Sequence, residues 1–519
     1  MFNRFIPEKR LHQAYIFLCI VLAIFIPLNK VGLSITTLLL GLLTLFFTPL
    51  TRLKETFKTH KSSLLVLVLL GWSLLSLSWT KDLASGFKYI NLILPFYIVF
   101  FVLALRPIRA EKERFYILNA FILATFGTAL TNWIVYSQQT DYYHYDMREM
   151  SLFTSHIRFA LMVVIALVLS VYYFFKTKQN WKWLYLPIGL FLLYYTYRSE
   201  VISGYISVTV ALVGALIYTL FHFIPNKKIA WSLTVIFILG TAFTGGIIAT
   251  KLFSRPHFNV LTHTKQGNLY WSDTTNTKFE NGYPINVNIQ VDELNDAWQK
   301  RSAVALHDLA KNGMTHQSNL IRYMTSKGLN KDAEGISKLT KKDIQNVENG
   351  FISIYQEDNS MRTRLQNIAD ELAYRGNDPN GLTFLQRLEY WKAGLAIVNE
   401  HRLVGVGAGS SKAYFLDYYD QTNSKLATEN RRESHQQFLS IAVNFGLVGL
   451  GIFVLLLIFV FLETPQKVHY YLILAILLVS FLNEDTLETQ TGGTLVAFFF
   501  SFLSGISVKG QQQQNRLDN

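Results

Sequence analysis

Three basic residues have types and positions that make them candidates for a functional site. They are Arg198 in YYTYRSEVISGY, Arg387 in FLQRLEYWKAGLAIVNEH and His435 in ESHQQFLSIAVNFGLVGL. Arginine keeps its charge, and histidine exchanges a proton near neutral pH. Charged residues beside apolar runs are functional candidates. Structural roles stay open: Arg198 could snorkel and pair with Glu200, Arg387 could lie on an amphipathic surface, and His435 could cap a helix.

Five further residues are weaker candidates because of their positions beside these three or at the start of an apolar run. Arg402 follows the Arg387 segment in NEHRLVGVGAGS, and His156 and Arg158 begin an apolar run. Tyr390 and Trp391 neighbour Arg387, and a helix would place Trp391 on the same face as Arg387, four residues on. His156, Arg158, Tyr390 and Trp391 could line a pocket, with packing or interfacial anchoring as the alternative, and Arg402 is a further basic candidate.

Two patterns that suggest a nucleotide or a metal have simpler interpretations. GVGAG at 405–409 follows a predicted helix rather than a strand, so we expect a tight turn and not a phosphate-binding loop. Glu484, Asp485 and Glu488 could bind a cation, but pairing with an arginine or solvation is expected. The single cysteine, Cys19, excludes disulfides, cysteine zinc sites and iron–sulfur clusters. No cofactor and no metal are expected.

The composition is that of a membrane protein. Of 519 residues, 50% are hydrophobic and only 16% are charged, whereas soluble proteins have about 25% charged residues. A bilayer core of about 30 Å needs about 20 apolar residues for each spanning helix. The sequence predicts an all-α polytopic protein with about twelve spans: 12–29, 31–50, 62–79, 88–105, 115–136, 156–175, 183–197, 201–221, 229–250, 436–462, 468–483 and 491–508.

The distribution of charge predicts the orientation of the chain and excludes nucleic acid as a partner. The net charge is +13, but 251–434 holds 23 Lys/Arg and 21 Asp/Glu, so the basic excess lies among the apolar segments. With a cytoplasmic N-terminus, the cytoplasmic loops carry 19 Lys/Arg and the short loops on the other face carry 6, in agreement with the positive-inside rule. The predicted organisation is membrane spans one to nine in 1–250, a mostly helical periplasmic insert in 251–435, spans ten to twelve in 436–508, and a disordered cytoplasmic tail in 509–519.

Two segments resemble a known family. RLEYWKAGLAIVNEHRLVGVGAGS and SHQQFLSIAVNFGLVGLGIF are similar to the most characteristic region of the bacterial O-antigen ligase and polymerase superfamily, which also includes protein O-oligosaccharyltransferases. That pattern has an arginine, a tryptophan a few residues on, a Gly-x-Gly turn and a later histidine that opens a span. TYRSEVISGY resembles the family's earlier Ser-Arg-Gly element at Arg198. The sequence departs from the family in the order Arg-Ser and in Gln436, which follows the histidine where asparagine is usual.

The resemblance implies a fold related to C-type glycosyltransferases and a reaction in the inner membrane. Such enzymes move a glycan from undecaprenyl diphosphate to an acceptor hydroxyl on the periplasmic face, without nucleotide sugar, ATP or metal. It implies Arg198 and Arg387 as diphosphate ligands with Arg402 as a further one, and His435 as a base or another diphosphate contact. Inversion of the anomeric carbon is expected.

Several acceptors stay open at this stage. Ligation of O-antigen onto lipid A–core is the leading hypothesis. A polymerase would use another lipid-linked repeat, and a protein O-oligosaccharyltransferase would use Ser or Thr. A transporter of lipid-linked glycan is the non-enzyme alternative. The long loop of a transporter would be expected between two equal halves, whereas the insert here follows the ninth predicted span.

Overall fold

The computed structural model describes residues 7–138, 150–253, 257–275, 278–354, 356, 379–380, 383–465 and 467–504. Apolar runs of the sequence become helices because, in a bilayer, a helix satisfies every backbone polar group within one segment. The first half of the described chain holds ten α-helices: α1 Glu8–Leu28, α2 Lys30–Phe47, α3 Leu50–Thr59, α4 Lys61–Leu75, α5 Leu83–Leu105, α6 Glu111–Ser137, α7 His156–Lys176, α8 Tyr185–Ser199, α9 Ile202–Phe223 and α10 Lys227–Phe253.

The second half begins with shorter helices and returns to apolar ones. A two-stranded hairpin, β1 Phe279–Glu280 and β2 Tyr283–Pro284, precedes them. The helices are α11 Val291–Gln299, α12 His316–Ser326, α13 Ala333–Ser337, α14 Lys341–Glu348, α15 Thr383–Glu400, α16 Ser411–Gln421, α17 Gln437–Glu463, α18 Val468–Asn483 and α19 Gln490–Ser504.

The all-α membrane architecture predicted from the sequence is confirmed. Within the described residues, nine helices are long and apolar enough to cross a membrane: α1, α2, α4 with its 3₁₀ extension to Trp79, α5, α6, α7, α9, α10 and α17. The other three predicted spans coincide with α8, α18 and α19, which have 15 or 16 residues. The short polar helix α3 was not expected, because its sequence LTRLKETFKT is too short and too charged to span.

One apolar core joins helices from both halves of the chain. Helix α5 packs against α19, α1 against α6 and α2, α4 against α17, and α18 against α7 and α9. The insert has a separate core, in which Trp298, Leu320 and Tyr323 are buried. The helices of the insert are short: where helical spacing extends over 291–311, α11 ends at Gln299. Apolar residues at helical spacing in the sequence also predict a helix at 361–375, which lies outside the described residues.

A kink in α17 positions the candidate site. At Gly446 the backbone has φ 68° and ψ −172°, a conformation that only glycine adopts without strain. The kink frees backbone groups that the glycine-rich turn at 405–409 then satisfies. Val406 N–H donates to the Val443 carbonyl over 2.9 Å, and Gly407 N–H donates to the Asn444 carbonyl over 3.0 Å. The turn expected from the sequence is therefore a structural clamp on α17.

Candidate functional site

His435 lies at the junction between the insert and α17, two residues before the helix begins. Its backbone is left-handed, with φ 45°, which costs a non-glycine residue about 1–2 kcal/mol. This conformation persists because neighbouring groups hold the chain on both sides. The carbonyl of Ser434 accepts a hydrogen bond from Trp391 Nε1 over 3.1 Å, and Gln436 caps α17 by accepting from the backbone N–H of Leu439.

Helix α15 and helix α16 hold the segment that leads to His435. Tyr390 O–H donates to the carbonyl of Asn430 over 2.5 Å, and Tyr419 O–H donates to the carbonyl of Arg432 over 2.8 Å. Tyr390 is buried and its ring lies 5.9 Å from the imidazole of His435, centroid to centroid. The two aromatic residues expected beside Arg387, Tyr390 and Trp391, are therefore in the site, where they bind the backbone or pack against the imidazole.

Arg387 points from α15 to the end of α18. Its Nη2 lies 2.8 Å from Oε1 of Glu484, and its Nη1 donates to the carbonyl of Asn483. The Arg387 side chain is 20% exposed and that of Glu484 is 10% exposed. A guanidinium has five N–H groups, and within the described residues the other three have no acceptor. The expected pairing of the acidic cluster with an arginine is observed here.

Asp485 is the partner of His435. Nδ1 of His435 lies 3.5 Å from Oδ2 of Asp485. This contact raises the pKa of His435 above its ordinary value even though burial works in the opposite direction. Burial also works to raise the pKa of Asp485, but the bond to His435 outweighs it and lowers the pKa below its ordinary range. Both shifts favour the pairing of a charged carboxylate with a protonated imidazole.

Burial raises the pKa values of the other carboxyl groups in this cluster. Burial raises the pKa of Glu433, which accepts a hydrogen bond from Ser411, and it raises the pKa of Glu484 despite the nearby guanidinium. Burial, together with the charges of Asp485 and Glu433, raises the pKa of Glu488 well above its ordinary value. Glu488 accepts a hydrogen bond from Tyr89 O–H over 2.9 Å, so the cluster is continuous with α5.

The first half of the chain reaches the same place through α7, α8 and α9. Asn483, whose carbonyl binds Arg387, also donates through Nδ2 to Oγ of Ser203 near the start of α9, over 3.2 Å. The positive charge of Arg158 contributes to the lowered pKa of Asp485. Nε of Arg158 is buried and has no hydrogen-bond partner within the described residues. Arg158 is therefore near enough to Asp485 for its charge to act there, and within the described residues its Nε is an unused donor.

Arg198 and His156 lie at the edge of this region. Arg198 is in the last turn of α8 and is half-buried, and within the described chain it makes no hydrogen bond or ion pair with another residue. His156 begins α7 and lines a small cavity with Tyr195 and Ser199, which neighbour Arg198 in α8. Arg198 is thus available to a ligand, five residues before Ser203.

The structure does not bring Arg402 to His435. Its side chain is exposed, and Nε donates to the carbonyl of Asn399 over 3.1 Å. Its own carbonyl accepts from the N–H of Leu447, ten residues into α17, over 2.8 Å. Arg402 contributes through its backbone to the clamp at the kink. This structural role differs from the role of diphosphate ligand that the resemblance implies.

The site could offer a cation three ligands. His435, Glu484 and Asp485 have ligand atoms within 4.8 Å of one another. The guanidinium of Arg387 already neutralises Glu484, and His435 already contacts Asp485. A divalent cation there would lie against the positive charge of Arg387. The donor set is therefore better suited to an anionic ligand bound through the arginines than to a resident metal.

Comparison with known families agrees with the resemblance in the sequence. Residues 347–454 match the family model described as O-antigen ligase. This segment contains Arg387, Trp391, the glycine-rich turn, His435 and the kink of α17, whereas Arg158, Arg198 and Asp485 lie outside it. Among curated proteins no match is found. Together with the many apolar helices, the match supports a multi-pass membrane enzyme of the O-antigen ligase or polymerase type.

Two members of the site are not predicted from the sequence. Asp485 was grouped with Glu484 as an acidic cluster, but its contact with His435 could not be foreseen across 50 residues of chain. Asn483 gave no signal at all. The available signal was the run NEDTLE between two apolar helices, because three carboxyl groups so close to a membrane segment need partners.

Proposed function

We propose that this protein transfers a glycan from undecaprenyl diphosphate to an acceptor hydroxyl on the periplasmic face of the inner membrane. The reaction that we favour is ligation of O-antigen onto lipid A–core. The observation that carries the proposal is the placement of Arg387, Arg158 and the His435–Asp485 pair at one end of the membrane helices. The orientation with this end in the periplasm rests on the distribution of Lys and Arg.

The arginines would bind the diphosphate. As the anomeric C–O bond breaks, negative charge grows on the departing phosphate oxygen, and a fixed donor aimed at that oxygen is worth about 3–4 kcal/mol. Arg387 has unused N–H groups, Nε of Arg158 has no partner in the described chain, and Arg198 is unengaged there. Three permanent cations around one diphosphate would supply the charge that a metal supplies in other phosphate sites.

His435 would accept the proton of the acceptor hydroxyl. Nδ1 faces Asp485, so Nε2 is left for the acceptor, and the carboxylate stabilises the imidazolium that forms. The hydroxyl oxygen then forms the new bond to the anomeric carbon as undecaprenyl diphosphate leaves. Attack from the side opposite the diphosphate would invert the anomeric configuration. In the other role that the resemblance implies, His435 would be a further contact of the diphosphate.

Deletion of the gene tests which acceptor is used. Lipopolysaccharide is run on a gel beside the pool of lipid-linked glycan. Core without polymer, together with a full polymer ladder on undecaprenyl diphosphate, is expected for a ligase. Core that carries a single repeat would instead indicate a polymerase, and unchanged profiles would direct attention to glycoproteins.

A second experiment separates an enzyme from a transporter of lipid-linked glycan. Purified protein in detergent is mixed with lipid-linked glycan and lipid A–core. Transfer between the two lipids is expected, and the Arg387→Gln variant should lose it. If no transfer occurs while the protein moves lipid-linked glycan across a vesicle membrane, the enzyme proposal is wrong.

A further inference from the structure

The end of the membrane domain opposite the candidate site contains a basic cavity. It has a volume of about 360 Å³ and is lined by the first residues of α1, the N-terminal part of α3 and the end of α5: Glu8, Lys9, His12, Tyr15, Arg52, Arg106 and Pro107. Tyr89 of α5 contacts Glu488, and Arg106 follows the end of the same helix. The 17 residues from Tyr89 to Arg106 separate the two places by about 26 Å. The cavity is therefore independent of the site around His435.

Arg106 is a buried cation without a carboxylate partner in the described chain. It is 8% exposed. Its Nη2 donates to the carbonyl of Phe47 over 2.6 Å, and its Nε approaches Oγ1 of Thr48 at 3.4 Å, both neutral acceptors. Within the described residues, Nη1 has no acceptor. A buried charge is normally compensated, so a cation with neutral acceptors and a free N–H indicates an anionic ligand.

The charges around Arg106 are mostly of its own sign. Burial and then the charge of Arg52 lower the pKa of Arg106, and Lys9 adds a third cation on the wall of the cavity. Glu8 is the one carboxylate on the lining, and it partly offsets these charges. His12 also lines the cavity, and its Nε2 lies 2.6 Å from Oε1 of Glu113, a carboxylate that is not part of the lining. The cluster therefore keeps an excess of positive charge that faces the open volume.

The surroundings of the cavity suit a lipid. Helix α3 is amphipathic: Phe57 packs on Phe101 with ring centroids 5.8 Å apart, while Arg52 and Lys54 are exposed. Such a helix lies at the headgroup level of a bilayer. An exposed apolar stripe on α2, formed by Leu38, Leu42 and Leu45, leads to Phe47 and Thr48, which bind Arg106. An acyl chain could follow this stripe while its phosphate enters the cavity.

We propose that this cavity binds the phosphate of an anionic phospholipid, held by Arg106, Arg52 and Lys9. This ligand would be a structural lipid of the leaflet opposite the candidate site and not the glycan donor. Basic residues attract anionic lipids of the cytoplasmic leaflet, and that is the leaflet in which the distribution of Lys and Arg places this end of the chain.

Lipid binding by the purified full-length chain tests the proposal. Native mass spectrometry in a neutral detergent measures affinity for dioleoyl phosphatidylglycerol, dioleoyl phosphatidylcholine and inorganic phosphate. The variants are Arg52→Gln and Lys9→Gln, because both side chains are exposed and their loss does not threaten folding. Lys54→Gln is the control on the same helix, since two residues along α3 place it on nearly the opposite face.

We expect selective binding of phosphatidylglycerol, which falls about fivefold in Arg52→Gln and in Lys9→Gln and is unchanged in Lys54→Gln. Equal affinity in all three variants and the wild type would overturn the proposal. So would equal binding of phosphatidylcholine, because the phosphate charge would then not be recognised. If inorganic phosphate binds as well as the lipid and displaces it, the ligand is a soluble anion and the lipid assignment is wrong.

Discussion

The ion pair between Arg387 and Glu484 allows the structural and catalytic roles of the arginine to be separated. In Arg387→Gln, Glu484 loses its cation in a site where it is only 10% exposed. Removal of one partner of a buried pair costs about 3–5 kcal/mol, and the lower value is expected because the arginine is 20% exposed. Transfer should also fall about 10²–10³-fold if Arg387 stabilises the departing diphosphate.

The double variant Arg387→Gln/Glu484→Gln removes both charges and should recover most of the lost stability. Neutral amides of similar size replace an ion pair without leaving a charge unpaired. Transfer should stay as low as in the single variant, because the cation that Arg387 supplies to the diphosphate is still missing. The assays are the thermal unfolding midpoint in detergent and the rate of glycan transfer by the same preparation.

The insert offers a matched control. Nη2 of Arg322 lies 2.8 Å from Oε2 of Glu280, with side chains 25% and 13% exposed, so this pair has nearly the same distance and burial. Arg322→Gln should lower the unfolding midpoint and leave transfer per folded molecule unchanged. If the Arg387/Glu484 double variant regains wild-type transfer, Arg387 is only a structural partner and the reasoning fails.

Four further outcomes are expected. Asp485→Asn removes the contact that raises the pKa of His435, so the acid limb of the pH–rate profile should move to lower pH while the maximal rate falls; an unmoved limb would exclude His435 as the base. Gly446→Ala should lower the unfolding midpoint, because its Cβ would lie 2.2 Å from the carbonyl oxygen of Leu403; an unchanged midpoint would contradict the clamp. Arg198→Ala should abolish transfer at normal expression, and full activity would remove Arg198 from the site. EDTA should not slow transfer. If EDTA does slow transfer and added Mg²⁺ restores it, the reaction requires a metal.

Most of the membrane architecture could be predicted because each apolar run is a local property of the sequence. The weak cases have physical reasons. Helix α8 ends at Arg198–Ser199 and has only 15 residues, so hydropathy alone gives little support for a span there. Helix α3 is amphipathic over ten residues and resembles a charged loop in the sequence. The short helices of the insert depend on packing around Trp298, which periodicity alone does not specify.

The candidate residues could be predicted by type, but not their partners. Arg387 and Glu484 are separated by 97 residues, and only the packing of α15 against the end of α18 brings them together. Arg402 was a candidate because of its position in the sequence. It stands beside the glycine-rich turn in the sequence, yet the turn binds the middle of α17 and places Arg402 beside Leu447. The position of Arg402 beside the turn in the sequence therefore did not indicate which part of α17 it would lie next to.

Two sets of hydrogen bonds explain why His435 can hold a strained backbone: one joins the glycine-rich turn to α17 near Gly446, and the other includes the bond from Trp391 to the carbonyl of Ser434. The glycine-rich turn binds α17 on the C-terminal side of the histidine, and Trp391 and Tyr390 bind the chain on its N-terminal side. A left-handed histidine between two fixed segments cannot relax without breaking one of them. The imidazole is therefore held towards Asp485, and the same helix α15 that supplies Trp391 supplies Arg387 one turn earlier. A single rigid helix thus sets the spacing between the proposed diphosphate ligand and the proposed base, which is the distance on which transfer between two bound lipids would depend.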